Sequence, residues 1–184
     1  MRGHPKSHPL SIAQKGIWIK EKFAEPDFSF ILAEALEING PVSHQIFSQA
    51  LQQLSQEAEA TRSCIVAVDD KPRQVILPPS AKSFEFLDFS AHASPREEAF
   101  TWMRSEIRHQ HDLAMDDLWF NALIKLSEEH WIWYHRVHHI LFDGFSGGLL
   151  AGRQAEIYSA MMRGEEAPPC NFGSLEELRE NENN

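Results

Sequence analysis

Apolar positions recur at two different periods along this chain, and the switches between them mark out its elements. Ser11 and Gln14 form a capping-box pair, so a helix is expected over residues 12–23, closed off by Pro26. Residues 29–38 read as a strand ended by Asn39-Gly40. Ser43 then opens a second helix, in which Ile46, Phe47, Ala50, Leu51 and Leu54 fall on one face and mark it as core. Residues 62–68 and 73–77 read as two strands joined through residues 69–72, broken afterwards by Pro78-Pro79. A short strand over 84–87 precedes Ser94-Pro95-Arg96-Glu97, a cap, a first-turn proline and a matching glutamate. The helix after it is expected to bury Phe100, Met103 and Ile107.

Two further strands, 118–126 and 131–138, flank the polar Ser127-Glu128-Glu129-His130 as a hairpin. A long helix follows from Gly147 to Met162, with Ser146 expected as its N-cap and Gly164 suited to its C-terminal end. Strands and helices mixed in this order predict an α+β fold with helices packed on a mixed sheet. No internal repeat is present.

The chemistry concentrates where the apolar run Trp131–Tyr134 gives out, at His138-His139-Ile140-Leu141-Phe142-Asp143-Gly144. Neighbouring residues on a strand face opposite ways, so one histidine is expected to meet a cleft while the other is tied into the structure. An imidazole titrates near neutral pH and can take or hold a proton without large tuning. Asp143 can orient an imidazole or brace the loop by pairing with an arginine, and Gly144 permits an unusual backbone angle or a close ligand. Three readings stand: a structural histidine pair in a turn, a zinc site of His138, His139 and Asp143, or catalysis. Strand geometry and the lack of CxxC or HExxH spacing argue against the metal.

The stretch from His138 to Ser146 resembles the core motif of condensation domains of nonribosomal peptide synthetases, members of the chloramphenicol-acetyltransferase-like superfamily. Pro9-Leu10-Ser11-Ile12-Ala13-Gln14 through Trp18 resembles the first motif of that family, PLSxAQxxxW. Thr61-Arg62-Ser63-Cys64-Ile65 is a weaker echo of the second, keeping Arg62 but departing at Thr61, Cys64 and Ile65. The wording around Trp131–Ser146 is similar to synthetases of aryl-capped siderophores.

The resemblance implies a chloramphenicol-acetyltransferase-like sandwich, one lobe of a two-lobe domain, with a role for each motif residue. His139 would act as a base on the attacking amine or steady the tetrahedral intermediate. His138 would support the loop, and Gly144 would lie beside the reacting centre. Asp143 would be a structural carboxylate, with Arg62 the candidate partner. His135 and Arg136 are assigned surface or salt-bridged roles.

Composition narrows the partners. A net charge of −10 and a pI near 5.4 argue against nucleic acid. Two cysteines, Cys64 and Cys170, carry no pairing or metal signature and suit a reduced, cytoplasmic protein. No apolar run approaches the roughly 20 residues of a membrane span, and the start lacks a secretion signal.

The expected organisation is a tail over residues 1–8, a lobe over 9–170, and an acidic linker or frayed tail over 171–184, including Leu175 and Leu178. The later motifs of the family, those of its C-terminal lobe, are absent, so the isolated lobe is expected to be weakly active or inactive. Substrates would arrive on the phosphopantetheine of acyl, aryl or peptidyl carrier proteins, with no cofactor bound directly. If Met1 is the native start, the acyl donor comes on a separate carrier. Self-association that rebuilds the cleft, a non-catalytic carrier-docking lobe, and an ester-forming acyltransferase remain alternatives, with a metal hydrolase last.

Overall fold

The run Trp131–Tyr134 lies at the centre of the molecule, where residues pointing to either side of one strand are all covered. A computed structural model describes residues 6–23, 29–79, 84–108 and 111–177. Pro26, Leu178 and the two chain ends fall outside them. In order, the elements are β1 (Ser7–Pro9), α1 (Ile12–Phe23), β2 (Ile31–Asn39) and α2 (His44–Glu57), then a short 3-10 turn (Glu59–Arg62). They continue with β3 (Ser63–Val68), β4 (Lys71–Ile76), β5 (Glu85–Asp88), α3 (Pro95–Ile107), β6 (Trp119–Ser127), β7 (His130–His138) and α4 (Gly144–Met162).

The larger sheet has the order β2-β7-β6-β5, antiparallel except for the parallel β5–β6 pair. Alternation along its inner strands sorts the core into two layers. Trp119, Leu123, Trp131, Trp133 and Val137 pack with Phe47, Leu51 and Leu54 of α2 and Leu150 and Ile157 of α4. On the other face Ala122, Ile124, Ile132 and Tyr134 meet Ala99 and Met103 of α3. Cover on both faces explains why β7 reads as an unbroken apolar run rather than an alternating one. At an area coefficient of about 25 cal/mol per Å², each large side chain here contributes roughly 1.5–3 kcal/mol.

Local chemistry sets several boundaries. Ser43 caps α2 by accepting from the Ile46 amide, and Phe47, Ala50, Leu51 and Leu54 are buried as expected while Ile46 is only half covered. The β3–β4 turn is tighter than the sequence implied: Val68 pairs with Lys71, leaving only Asp69 and Asp70, at φ 49° and 59°. Both thus occupy the left-handed region that a two-residue hairpin turn requires. Ser94 precedes α3, but at φ −134° and ψ 71° its side chain makes no capping bond. Within α3, Ala99 and Met103 are buried, whereas Phe100 and Ile107 are only partly so. Past α4, Gly164 at φ +71° closes the helix, with Glu165 N–H donating to the Ala160 carbonyl.

The smaller sheet, β1-β4-β3, begins inside the segment expected to be a tail: Ser7, His8 and Pro9 pair with Val75, Gln74 and Arg73. A minor core of Leu10, Ile65, Leu118 and Ile140 joins this sheet to the end of β7, with Ile17 and Trp18 of α1 against it. At the other end, Phe172 packs on the main core and the Leu175 amide donates to Glu59. Residues 171–175 therefore lie against the body. Among the described residues no helix is long and apolar enough to cross a membrane.

Candidate functional site

The last residue of β7 and the turn after it place the two histidines in different surroundings. His138 is buried, its amide donating to the Leu118 carbonyl. Its Nδ1 accepts from the Ile140 amide at 3.2 Å, so Nε2 carries the proton and lies 3.5 Å from a Glu21 carboxylate oxygen. Burial pushes its pKa down to about 4, helped by the nearby His111 and His139. Burial therefore favours the neutral form of His138.

His139 has left the strand. Its amide donates to the Phe30 carbonyl, and its half-buried ring places Nδ1 2.6 Å from the Phe142 carbonyl oxygen. A carbonyl only accepts, so Nδ1 holds the proton and Nε2 keeps its lone pair. The turn is anchored from beneath by Ile140 in the minor core and Phe142 in the main one.

The ring borders a pocket of about 410 Å³, whose polar lining includes Ser11, Gln14, Gln74, Asp143 and Ser146. A second, more apolar pocket of about 360 Å³ shares Leu141, Phe142, Ser146 and Leu175 with it and runs on to Ala58, Leu149 and Phe172. An imidazole lone pair beside an open pocket can accept a proton. The Phe142 carbonyl then favours the cation that forms, because it accepts from the ring's other N–H.

The acidic residue of the motif does something other than expected. Asp143, exposed, is itself the N-cap of α4, one oxygen accepting from the Ser146 amide at 2.9 Å and its hydroxyl at 2.7 Å. The Ser146 hydroxyl and amide together hold the Asp143 carboxyl below the usual carboxylate range. Ser146 is thus three residues inside the helix rather than its cap. Nor is Arg62 the partner of Asp143. Its Nε and Nη1 donate to the carbonyls of Ser55 and Leu77, and Glu59 lies 4.0 Å from Nη2. Arg62 ties the 3-10 turn to the end of α2 and to the residue after β4, a local job.

Gly144 begins α4 without a left-handed φ, and a Cβ there would meet nothing within 4 Å. Its conformational freedom is therefore unused, and what it leaves is open space at the helix start. His135 and Arg136, expected at the surface or in ion pairs, are buried. His135 Nε2 is 2.8 Å from Glu34, and Arg136 lies 4.0 Å from Glu106 with its guanidinium over the Phe120 ring.

Sequence reasoning missed the residues that reach the turn from elsewhere. Ser11 and Gln14 do form their capping box, at 3.0 and 3.2 Å. The Gln14 amide also donates to the Ile140 carbonyl at 2.9 Å and to Gln74 Oε1 at 3.1 Å. Only the local half of that arrangement has a sequence signature. Gln74, inside a short strand, has none.

Comparison with known proteins adds a family to this geometry. A family model described as "Condensation domain" matches residues 5–174. The dimodular nonribosomal peptide synthase of Bacillus subtilis (strain 168) is 34% identical over 173 residues, 94% of this chain and 7% of that protein. Enterobactin synthase component F of Escherichia coli (strain K12) is 31% identical over 170 residues, 89% of this chain and 13% of that protein. The starter condensation domain of rhizomide synthetase superposes with a TM-score of 0.91 at 34% identity, over 97% of this chain and 43% of that one. The first condensation domain of the calcium-dependent antibiotic synthetase, in complex with a substrate analogue, gives 0.88 at 28% identity, with 97% and 43% covered. The chain thus spans under half of those solved chains and about a tenth of the two synthetases. With the HHxxxDG turn at the mouth of its pocket and the match running through nearly every described element, it belongs to the condensation domains of nonribosomal peptide synthetases.

Proposed function

We propose that this chain supplies the histidine-bearing half of an amide-forming site, completed by the second half of a condensation domain. The observation that carries the reading is the His139 ring, turned by the Phe142 carbonyl so that its basic nitrogen is available beside a pocket. In the reaction, the acceptor nitrogen attacks the carbonyl carbon of a thioester carried on phosphopantetheine. A C–N bond forms, the C–S bond breaks, and the carrier leaves as a thiol. The proton lost by nitrogen passes to Nε2 of His139 and on to the departing sulfur. Among the roles open to His139, the free lone pair favours that of a base; once protonated, the same nitrogen can donate to the tetrahedral oxyanion.

Acyl, aryl or peptidyl carrier proteins would deliver the two substrates. Positioning both supplies roughly 7–11 kcal/mol of barrier reduction, most of which one half-site forfeits. Two apolar side chains next in sequence to pocket residues, Ile12 beside Ser11 and Phe145 beside Ser146, are 90% and 76% exposed. Apolar surface of that kind suits a covering body of protein.

The test mixes or fuses the chain with the second half of a condensation domain and follows product from a carrier-bound thioester and an amine by mass spectrometry. Product from the combination, little from the chain alone, and none with His139→Ala is the expected pattern. Turnover by the chain alone at about 1 s⁻¹ or faster overturns the half-site reading. A combination that binds carriers without forming product favours a docking lobe, and preference for a hydroxyl acceptor favours ester formation.

A further inference from the structure

We propose that helix α1 brackets His139 from both sides, with Gln14 and Glu21 as positioning residues for the transfer; this rests on the amide-forming reading above. The two residues that flank His139 each meet a side chain of α1. Ile140, after it, gives its carbonyl to Gln14 Nε2 at 2.9 Å. His138, before it, turns its protonated Nε2 toward Glu21 at 3.5 Å. Gln14 and Glu21 are seven residues apart, two helical turns, and so share one face of α1. Ile17 and Trp18 lie between them on the minor core, while Ile12, Ile19 and Phe23 are exposed. No residue of α1 is fully buried, and its polar contacts with the turn act beside the packing of Ile17 and Trp18 on Ile140's minor core.

The choice of glutamine is the sharper observation. A capping box accepts glutamate as readily as glutamine, because only an acceptor oxygen is needed. Here Oε1 serves that purpose, accepting from the Ser11 amide at 3.0 Å. Both hydrogens on Nε2 are then committed, one to Gln74 and one to Ile140. Glutamate at this position would keep the cap and lose both tethers, leaving a carboxylate oxygen against the Ile140 carbonyl. Gln14→Glu therefore separates helix capping from the positioning of the histidine turn.

Two measurements test the bracket. In the completed domain, Gln14→Glu and Glu21→Ala are expected to lower kcat roughly 10- to 100-fold. In Glu21→Ala, a change outside the pocket lining, KM for each substrate should stay within about two-fold; Gln14 lines the pocket, so its variant is judged on kcat and the ring signals. In the 184-residue chain alone, the nitrogen NMR signals of the His139 ring should shift or broaden in both variants. They should stay fixed in Lys15→Ala, an exposed change on the same helix. Wild-type kcat with unmoved ring signals in Gln14→Glu overturns the proposal. If Gln14→Glu does not fold, Glu21→Ala decides by the same criteria, and loss of fold in both overturns positioning in favour of plain scaffolding. A wild-type completed domain that forms no amide sinks the function reading instead, while the ring signals still judge the bracket.

Discussion

The carbonyl oxygen of Phe142 lies 2.6 Å from Nδ1 of His139, so the turn that presents the imidazole also decides which nitrogen is basic. Asparagine can imitate half of this arrangement. Its amide nitrogen reaches the region of Nδ1 and can donate to Phe142, but nothing replaces Nε2. His139→Asn is expected to melt above His139→Ala, which loses the turn's closing hydrogen bond, worth about 0.5–1.5 kcal/mol. In the completed domain both should lose roughly 10²- to 10⁴-fold in rate, the usual contribution of a positioned acid or base. Thermal melts and product formation check the two halves of this statement. Activity surviving in His139→Asn would remove Nε2 from the chemistry.

Asp143 and Arg62 are expected to act independently, because each is hydrogen-bonded to neighbours of its own. Asp143→Ala removes a helix cap and should cost about 1 kcal/mol, with Asp143→Ser nearly neutral. Arg62→Ala deprives two carbonyls of their donor and should cost about 1–3 kcal/mol. A double-mutant cycle in urea should give a coupling below about 0.5 kcal/mol. A coupling of several times that size would restore the ion pair that the family motif implied. The cap also has a pH signature. Hydrogen bonds from Ser146 depress the Asp143 pKa, so its contribution is present above the ordinary aspartate range and disappears as acid titrates the carboxylate. Asp143→Asn should lack that dependence.

Much of the fold was legible because its signals are local. The α2 stripe, the Ser43 cap and the Gly164 terminator each depend on residues within one or two turns. The double cover of β7 was written in Trp131–Tyr134, an apolar run without alternation. β1 was not legible, since three residues of Ser, His and Pro become a strand only because β4 offers an edge. At the site, strand geometry implied that His138 and His139 would meet different surroundings, while the role given to each came from the family resemblance. The partner of Asp143 followed from neither. Asp143 and Ser146 are both good capping residues, and Gly147-Gly148 made the later start look natural. Gln14 shows the limit most clearly: its bond to Ser11 spans three residues, while its bond to Ile140 spans 126.

Arg153 and Glu57 fasten α4 to the end of α2 through two hydrogen bonds of 2.7 and 2.8 Å, and Glu156 adds a third at 3.0 Å. Arg153 is buried, and its hydrogen bonds hold the Glu57 carboxyl below the ordinary range. Removing Glu57 leaves the buried Arg153 with Glu156 as its remaining carboxylate partner, so Glu57→Ala should cost about 2–4 kcal/mol, below the cost of fully stranding a buried charge. Glu57→Ala combined with Arg153→Met should cost less than the single change, because the buried charge itself is gone. Urea titration of the three variants checks the ordering. A single variant within about 1 kcal/mol of wild type would mean that Glu156 or solvent replaces Glu57 without strain.

His138 makes the fold sensitive to mild acid in a way that can be isolated. In the unfolded chain a histidine takes its proton near pH 6.5, whereas burial delays protonation of His138 to about pH 4. Between those values the unfolded state binds more protons, so acid favours unfolding there. Stability from this residue is fully present above about pH 6.5 and is lost as pH falls toward 4, by up to about 3 kcal/mol. His138→Asn preserves an acceptor for the Ile140 amide but cannot titrate. His135, whose pKa is also lowered by burial, remains in both proteins and cancels from the comparison. The stability difference between wild type and His138→Asn, measured by urea unfolding at successive pH values, should therefore stay level above pH 6.5 and move in favour of the variant below it. A flat difference down to pH 4 would mean that His138 takes up its proton in the folded state, with the Glu21 carboxylate compensating the charge despite burial.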